Sequence, residues 1–217
     1  MSIHQLAICG ATGTIGREAV RSAVEHGLHV RVLTRREQSA RQLFSQYADN
    51  IEIVTGDLTD LNDVMAFVQG ADGVIMTHGA PYGDERGYKA IDFGAVANVV
   101  SALSGSDTKI ALMTSIGTSH SDAPVLAYKR KGEEALRASG LPYFIVRPGW
   151  FERGASGNAQ LMQGDRIEYG QASPSDVGDV LVEGLLDPAI TAHTCEVFTQ
   201  DTEESIAEQL AALHADA

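Results

Sequence analysis

Short apolar runs alternate with amphipathic stretches along nearly the whole chain. Residues 6–9, 30–34, 51–55, 73–77, 109–114 and 143–146 are mostly apolar segments of strand length. Runs of this kind, bounded by glycine or polar residues, predict strands buried on both faces of a parallel sheet. Between them, apolar residues recur at helical spacing. Ile15, Ala19, Val20, Ala23 and Val24 precede a stop at Gly27; Leu61, Val64, Met65 and Val68 precede one at Gly70. Ala40, Leu43, Phe44 and Tyr47 mark another amphipathic stretch, and Ile91, Ala95, Val99 and Leu103 a long helix. A further helix is predicted over 124–139, with Gly140 as its C-terminal stop. The pattern loosens over 147–173, a Gly- and polar-rich stretch that reads as a long loop on the substrate side. Order returns with a helix over 175–186, a strand around 196–199 and a terminal helix over 203–213. Strand and helix in alternation predict an α/β fold with a doubly wound parallel sheet. A single domain is expected over 1–217, with a small C-terminal extension on the substrate side.

The first strand runs directly into Gly10-Ala11-Thr12-Gly13-Thr14-Ile15-Gly16, and the first helix follows. Strand, glycine turn and helix in that order are the phosphate-binding start of a Rossmann unit. One glycine permits the tight turn, one lets the backbone approach a pyrophosphate, and one lets helix and strand pack closely. The pyrophosphate then rests on unpaired N–H groups at the positive end of the helix dipole. Gly10, Thr12, Gly13, Thr14, Ile15 and Gly16 are therefore expected to hold a dinucleotide.

The end of the second strand decides which one. A carboxylate there accepts from both ribose hydroxyls and selects NAD, whereas a 2′-phosphate needs cations. This strand ends in Thr34-Arg35-Arg36, about twenty residues beyond the glycines, and no acid appears before Glu37. A guanidinium presents a planar fork of donors matched to a phosphate. NADP(H) is accordingly expected over NAD(H), with Arg35 as the first ligand and Arg36 as the second. Asp57, in Gly56-Asp57-Leu58, has two roles open to it: accepting from the adenine amino group beside Leu58, or capping the following turn. Thr77, His78 and Gly79 leave the fourth strand at the carboxyl edge of the sheet, where nicotinamide and substrate would meet.

Charge and cysteine content narrow the class. The formal net charge of −13 over 217 residues excludes the basic stripe that nucleic acid or an anionic membrane surface demands. Cys9 and Cys195 are too few for a disulfide framework or a zinc site, and no metal is expected. Cys9, inside the first strand, reads as a buried and inert thiol. With no apolar run of membrane-spanning length and no signal peptide in the opening residues, the expected address is the cytoplasm.

The chain resembles the atypical short-chain dehydrogenase/reductase superfamily, which includes NmrA-like proteins and small flavin or quinone reductases. The matching segments, in order, are the glycine motif, Gly56-Asp57-Leu58, Thr114-Ser115-Ile116-Gly117, Ser139-Gly140-Leu141-Pro142-Tyr143, Ile145-Val146-Arg147-Pro148-Gly149-Trp150-Phe151 and Ser175-Asp176-Val177. The resemblance implies that Ser115 stands at the position that orients a carbonyl. It places Lys129 at the lysine that holds the nicotinamide ribose, with Pro148 and Gly149 turning the chain beside the nicotinamide. Anchored on Leu136-Arg137-Ala138-Ser139-Gly140-Leu141, the alignment puts Val125 where the family's tyrosine belongs. Tyr128 is no substitute, because neighbouring helix residues lie about 100° apart. The Tyr–Lys pair is thus broken.

That break disfavours sugar-nucleotide epimerases and dehydratases, which need the phenol as acid and base and a larger substrate domain. It suits reductases of quinone or flavin type, where hydride passes directly to a stacked acceptor and the proton comes from solvent. Tyr82, Tyr88, Trp150 and Phe151 are candidates for an aromatic pocket around a flat acceptor, with core packing or loop anchoring as the alternative for each. The expected partner is a small-molecule acceptor, and the expected state a monomer or homodimer. A non-catalytic NADP(H)-binding sensor of the NmrA-like kind accounts for the missing tyrosine equally well.

Overall fold

The computed structural model describes residues 3–152, 154, 157–165 and 170–217. Its apolar runs become the strands β1 (Gln5–Cys9), β2 (His29–Thr34), β3 (Ile51–Thr55), β4 (Gly73–Met76), β5 (Lys109–Met113) and β6 (Tyr143–Pro148). Three short strands follow, β7 (Trp150–Phe151), β8 (Asn158–Met162) and β9 (Gln171–Ala172), and then the long β10 (Ala192–Gln200). The main sheet has eight strands in the order β3-β2-β1-β4-β5-β6-β10-β8, parallel except for β8. Strand order reverses between β1 and β4, the switch point at which open α/β sheets bind ligands.

Alternation along each strand divides its side chains between two cores. Leu6 and Ile8 of β1 enter the core on one face, covered by the helices α1 (Thr14–Glu25) and α7 (Pro174–Leu186). Ala7 and Cys9 enter the other core, covered by α3 (Leu61–Val68), α5 (Val96–Ala102) and α6 (Pro124–Ala138). Cys9 is fully buried, and burial pushes its thiol up to about 12, in keeping with an inert role. At Gly178 of α7 a Cβ would lie 2.7 Å from that of Glu18 and 2.9 Å from the Ala19 nitrogen, so this glycine permits the close α1–α7 contact. The shorter helices are α2 (Glu37–Leu43), followed by a 3₁₀ turn at Ser45–Asn50, then α4 (Glu85–Gly87) and α8 (Ile206–Ala211). No helix of the described residues is long and apolar enough to cross a membrane.

The structure corrects the sequence reading in three places. The 147–173 stretch, expected as a loop, carries β7, β8 and β9 and the end of β6. β8 pairs antiparallel with β10, and β7 pairs with β9 in a separate ribbon. Their partners are distant in sequence and their faces half polar, so no local period announces them. Residues 153, 155–156 and 166–169 of that stretch lie outside the described residues. The long helix expected after β4 forms without a break through α4, a π-helical segment at Tyr88–Ala95, and α5, and differs from the expectation only in the winding of its middle. The terminal helix is shorter than expected, because a capping box between Ser205 and Glu208 fixes its start at Ile206.

Candidate functional site

The turn after β1 leaves no room for side chains. Gly10 holds φ at +77°, and a Cβ there would stand 2.6 Å from the His78 nitrogen and 2.9 Å from the Thr77 carbonyl carbon. A Cβ on Gly16 would collide with the Gly10 carbonyl. The Gly13 N–H closes the turn on the Gly10 carbonyl at 2.9 Å, and the Arg17 N–H is the first to bond back along α1, to the Gly13 carbonyl at 3.1 Å. The N–H groups of Thr14, Ile15 and Gly16 precede that bond and point out of the helix end. Ile15 itself is buried in the core, so any contact from it to a phosphate is through its backbone.

A cleft of about 590 Å³ opens along the carboxyl ends of β1 to β4. Its walls include Gly10, Thr12 and Gly13 from the glycine turn, and Arg35 and Arg36 beyond β2. Asp57 and Leu58 line it beyond β3, and Thr77, His78 and Gly79 beyond β4. Sequence reasoning missed part of its lining, to which Arg86, Gly87, Ala90 and Ile91 also contribute. Of these only Ile91 belongs to the apolar period of the predicted helix, and nothing in that period marks Arg86, Gly87 or Ala90 as cleft residues.

At the ribose end, Glu37 is turned away: its carboxylate accepts from Arg41 at 2.8 Å and from the Thr55 hydroxyl at 3.3 Å. Asp57 caps its turn, accepting from the Thr59 N–H at 2.9 Å and the Thr59 hydroxyl at 2.8 Å. Those bonds hold its carboxyl below the usual range, and Arg35, 3.8 Å away, adds a smaller effect in the same direction.

Beyond β4, Thr77 donates N–H and hydroxyl to the Cys9 carbonyl at 3.0 and 3.1 Å, locking the switch point. Burial and then the charge of Lys129 depress the His78 imidazole to about 4, so His78 is neutral at pH 7. Its buried Nδ1 has no hydrogen-bond partner among the described residues. Lys129 Nζ lies 2.8 Å from Asp92 Oδ1, and Asp92 Oδ2 accepts from the Ala80 N–H at 3.2 Å. Asp92 is 4% exposed and sits in the π-helical segment, a geometry that recurs at functional sites. The predicted lysine is thus tied to an acid that no local pattern singles out. Tyr128 projects elsewhere, with the Lys131 amine 4.9 Å from its ring centre.

Other expected site residues lie outside the cleft wall. Ser115 is half-buried in the turn after β5, its carbonyl accepting from the Thr118 hydroxyl at 2.6 Å. Pro148 and Gly149 are buried in the sheet: the Pro148 carbonyl accepts from Ile116 at 3.1 Å, and the Gly149 N–H donates to Val197 at 2.9 Å. Behind them Arg147 is enclosed with Glu133, which accepts from its Nε at 3.0 Å and its Nη2 at 2.6 Å, while Thr114 donates to Glu133 at 2.6 Å. The four aromatic residues expected to form a pocket are not brought together on this cleft. Tyr88 is buried and its hydroxyl accepts from the Gly83 N–H, so it anchors a loop. Tyr82, Trp150 and Phe151 are 96%, 68% and 49% exposed and line none of the cleft.

A tight glycine turn, N–H groups at a helix end that precede its first intrahelical bond, and a cleft across the switch point fit a dinucleotide. A family model described as NAD(P)H-binding matches residues 10–188. Protein TIC 62, chloroplastic, of Pisum sativum is 31% identical over 228 aligned residues, covering 90% of this chain and 43% of that protein. The chain therefore spans less than half the length of that relative. Among solved structures, ChuY, an anaerobillin reductase from Escherichia coli O157:H7, superposes with a TM-score of 0.75 at 23% identity, over 93% of this chain and 100% of its own. A short-chain dehydrogenase/reductase from Veillonella parvula in complex with NADP gives a TM-score of 0.75 at 17% identity, over 93% and 97%. At these identities the structures establish the fold.

Proposed function

The chain belongs to this NAD(P)H-binding family, within the atypical short-chain dehydrogenase/reductase superfamily, and on that premise we propose that it is an NADPH-dependent reductase of a small, planar acceptor of quinone or flavin type. The observation that carries the reading is the Lys129–Asp92 pair with Val125 at the tyrosine position. This side of the site offers a fixed ion pair and no phenol to move a proton. Bound nicotinamide supplies a hydride, and an acceptor that takes its proton from solvent asks no acid of the protein. Arg35 and Arg36 favour the 2′-phosphate, since Glu37 is occupied by Arg41 and Thr55 and Asp57 by Thr59. The glycine turn holds the pyrophosphate, Lys129 and Asp92 position the ribose side, and the partner is a small molecule met by a monomer or homodimer.

The test follows NADPH loss by its near-ultraviolet absorbance against quinones, flavins and simple carbonyl compounds, with NADH in parallel. Turnover with a quinone or flavin that falls at least tenfold in Lys129→Ala supports the reading. Arg35→Ala should weaken NADPH binding about ten- to hundredfold while leaving NADH nearly unchanged. Tight NADPH binding with no turnover on any acceptor overturns the reductase in favour of a sensor. That second reading draws on the same ion pair, which leaves Lys129 neutralised.

A further inference from the structure

The arginines of this acidic chain divide sharply by what they touch. Arg21, Arg31, Arg41, Arg137 and Arg147 each hydrogen-bond a carboxylate. Arg130 bonds the carbonyls of Thr118 and Ser121, and Arg17 that of Gly13. Among the described residues, Arg35, Arg36 and Arg86 alone make no side-chain hydrogen bond to the protein; Arg35 has a single ion contact, at 3.8 Å. These same residues line one cleft. In a chain with 29 acids and 16 lysines and arginines, guanidinium groups gathered on one cavity without a protein hydrogen bond indicate an anion to be bound there.

We infer that Arg86 is a specificity-determining residue that closes on the cofactor's 2′-phosphate from the cleft lining it shares with Arg35 and Arg36. The inference rests on the NADPH reading above and extends it to a residue outside the β2 end. Charge balance supports it. Asp57 offsets one of the two arginines beyond β2, so that wall contributes about one net positive charge. A phosphate monoester carries about −1.5 to −2 near neutral pH. Arg86 supplies the missing cation. The pyrophosphate does not require it, because the glycine turn and the end of α1 serve that group with N–H donors.

The backbone that carries Arg86 is fixed in advance. Asp84 accepts from the Gly87 N–H at 2.9 Å, capping the turn of α4, and buried Tyr88 accepts from the Gly83 N–H. Gly87 lets this turn pack against Ala80, whose methyl would lie 3.0 Å from an added Cβ. A long side chain on a held backbone reaches its ligand with less ordering cost than one on a free loop.

The test is calorimetric titration of the full chain, wild type and Arg86→Ala, with adenosine 2′,5′-bisphosphate and with 5′-AMP. Wild type should bind the bisphosphate more tightly. Arg86→Ala should lose about ten- to hundredfold for the bisphosphate and less than about threefold for AMP. Arg86→Lys, which keeps the charge but loses the fork, should fall between. Equal losses for both ligands, or no loss for the bisphosphate, would overturn the inference and leave the NADPH reading standing. Wild type binding the two ligands alike would instead refute the NADPH reading itself.

Discussion

Single residues in this site act through what their neighbours forbid. Gly10 is required because its φ of +77° and its approach to His78 leave no space for a methyl group. His78, pressed beneath that turn and beside Lys129, stays neutral down to about pH 4. Its folded value lies below the ordinary 6.5, so the unfolded chain binds the extra proton. The stability it contributes is complete above about pH 6.5 and is lost as pH falls toward 4. Proton titration of the histidine ring by NMR should show His78 near 4, moving upward in Lys129→Met, which removes one of its two depressing influences. A normal value near 6.5 in the wild type would show that the imidazole is not enclosed as described. His78 was visible in the sequence as a loop histidine; its neutrality depends on a lysine more than fifty positions away and was not.

Among elements, the joint between α6 and β6 is the most heavily charged contact of the interior. Glu133 is fully buried and holds Arg147 through two bonds while accepting from Thr114. Arg147 also meets Asp165 and, at 3.5 Å, Glu196, so it is the cation three carboxylates share, and removing it leaves buried charge unmatched at a cost of about 3–5 kcal/mol. Arg147→Met should therefore lower stability in urea unfolding by about that amount. Glu133→Gln with Arg147→Met should cost less than Arg147→Met alone, since the side chain at 133 then carries no charge to be left unmatched. Additive losses would mean the two residues act independently. The helix itself was legible over 124–139 from its spacing and from Gly140, and the structure bounds it at Pro124–Ala138. Its pairing with β6 was not, because nothing along the sequence links Glu133 to Arg147. The same holds for the segment after β4, where apolar spacing marked a helix but gave no sign of the π geometry that seats Asp92 against Lys129.

For the whole molecule, binding and stability are linked, because a cofactor that binds the folded chain alone shifts unfolding by mass action. NADPH at about a hundred times its Kd should add about 2.7 kcal/mol and raise the Tm by about 5–10 °C. NADH at the same concentration should shift it much less, and equal shifts would remove the case for NADPH. What the sequence determined by itself was the fold and the phosphate end of the site. Apolar runs alternating with amphipathic helices have few ways to bury themselves other than a doubly wound sheet, and the glycine turn is a local conformation that its own residues impose. Arg35, Arg36, Asp57 and His78 were legible for the same reason, since each stands at a strand end whose place follows from strand order. The tertiary structure alone decided that Asp92 meets Lys129, that Glu133 meets Arg147, that β8 joins β10, and that Arg86 lines the same cleft as Arg35 and Arg36. Those contacts join polar residues far apart in the chain. Burying apolar surface leaves a period along the sequence, whereas a charge meeting its partner across the fold leaves none.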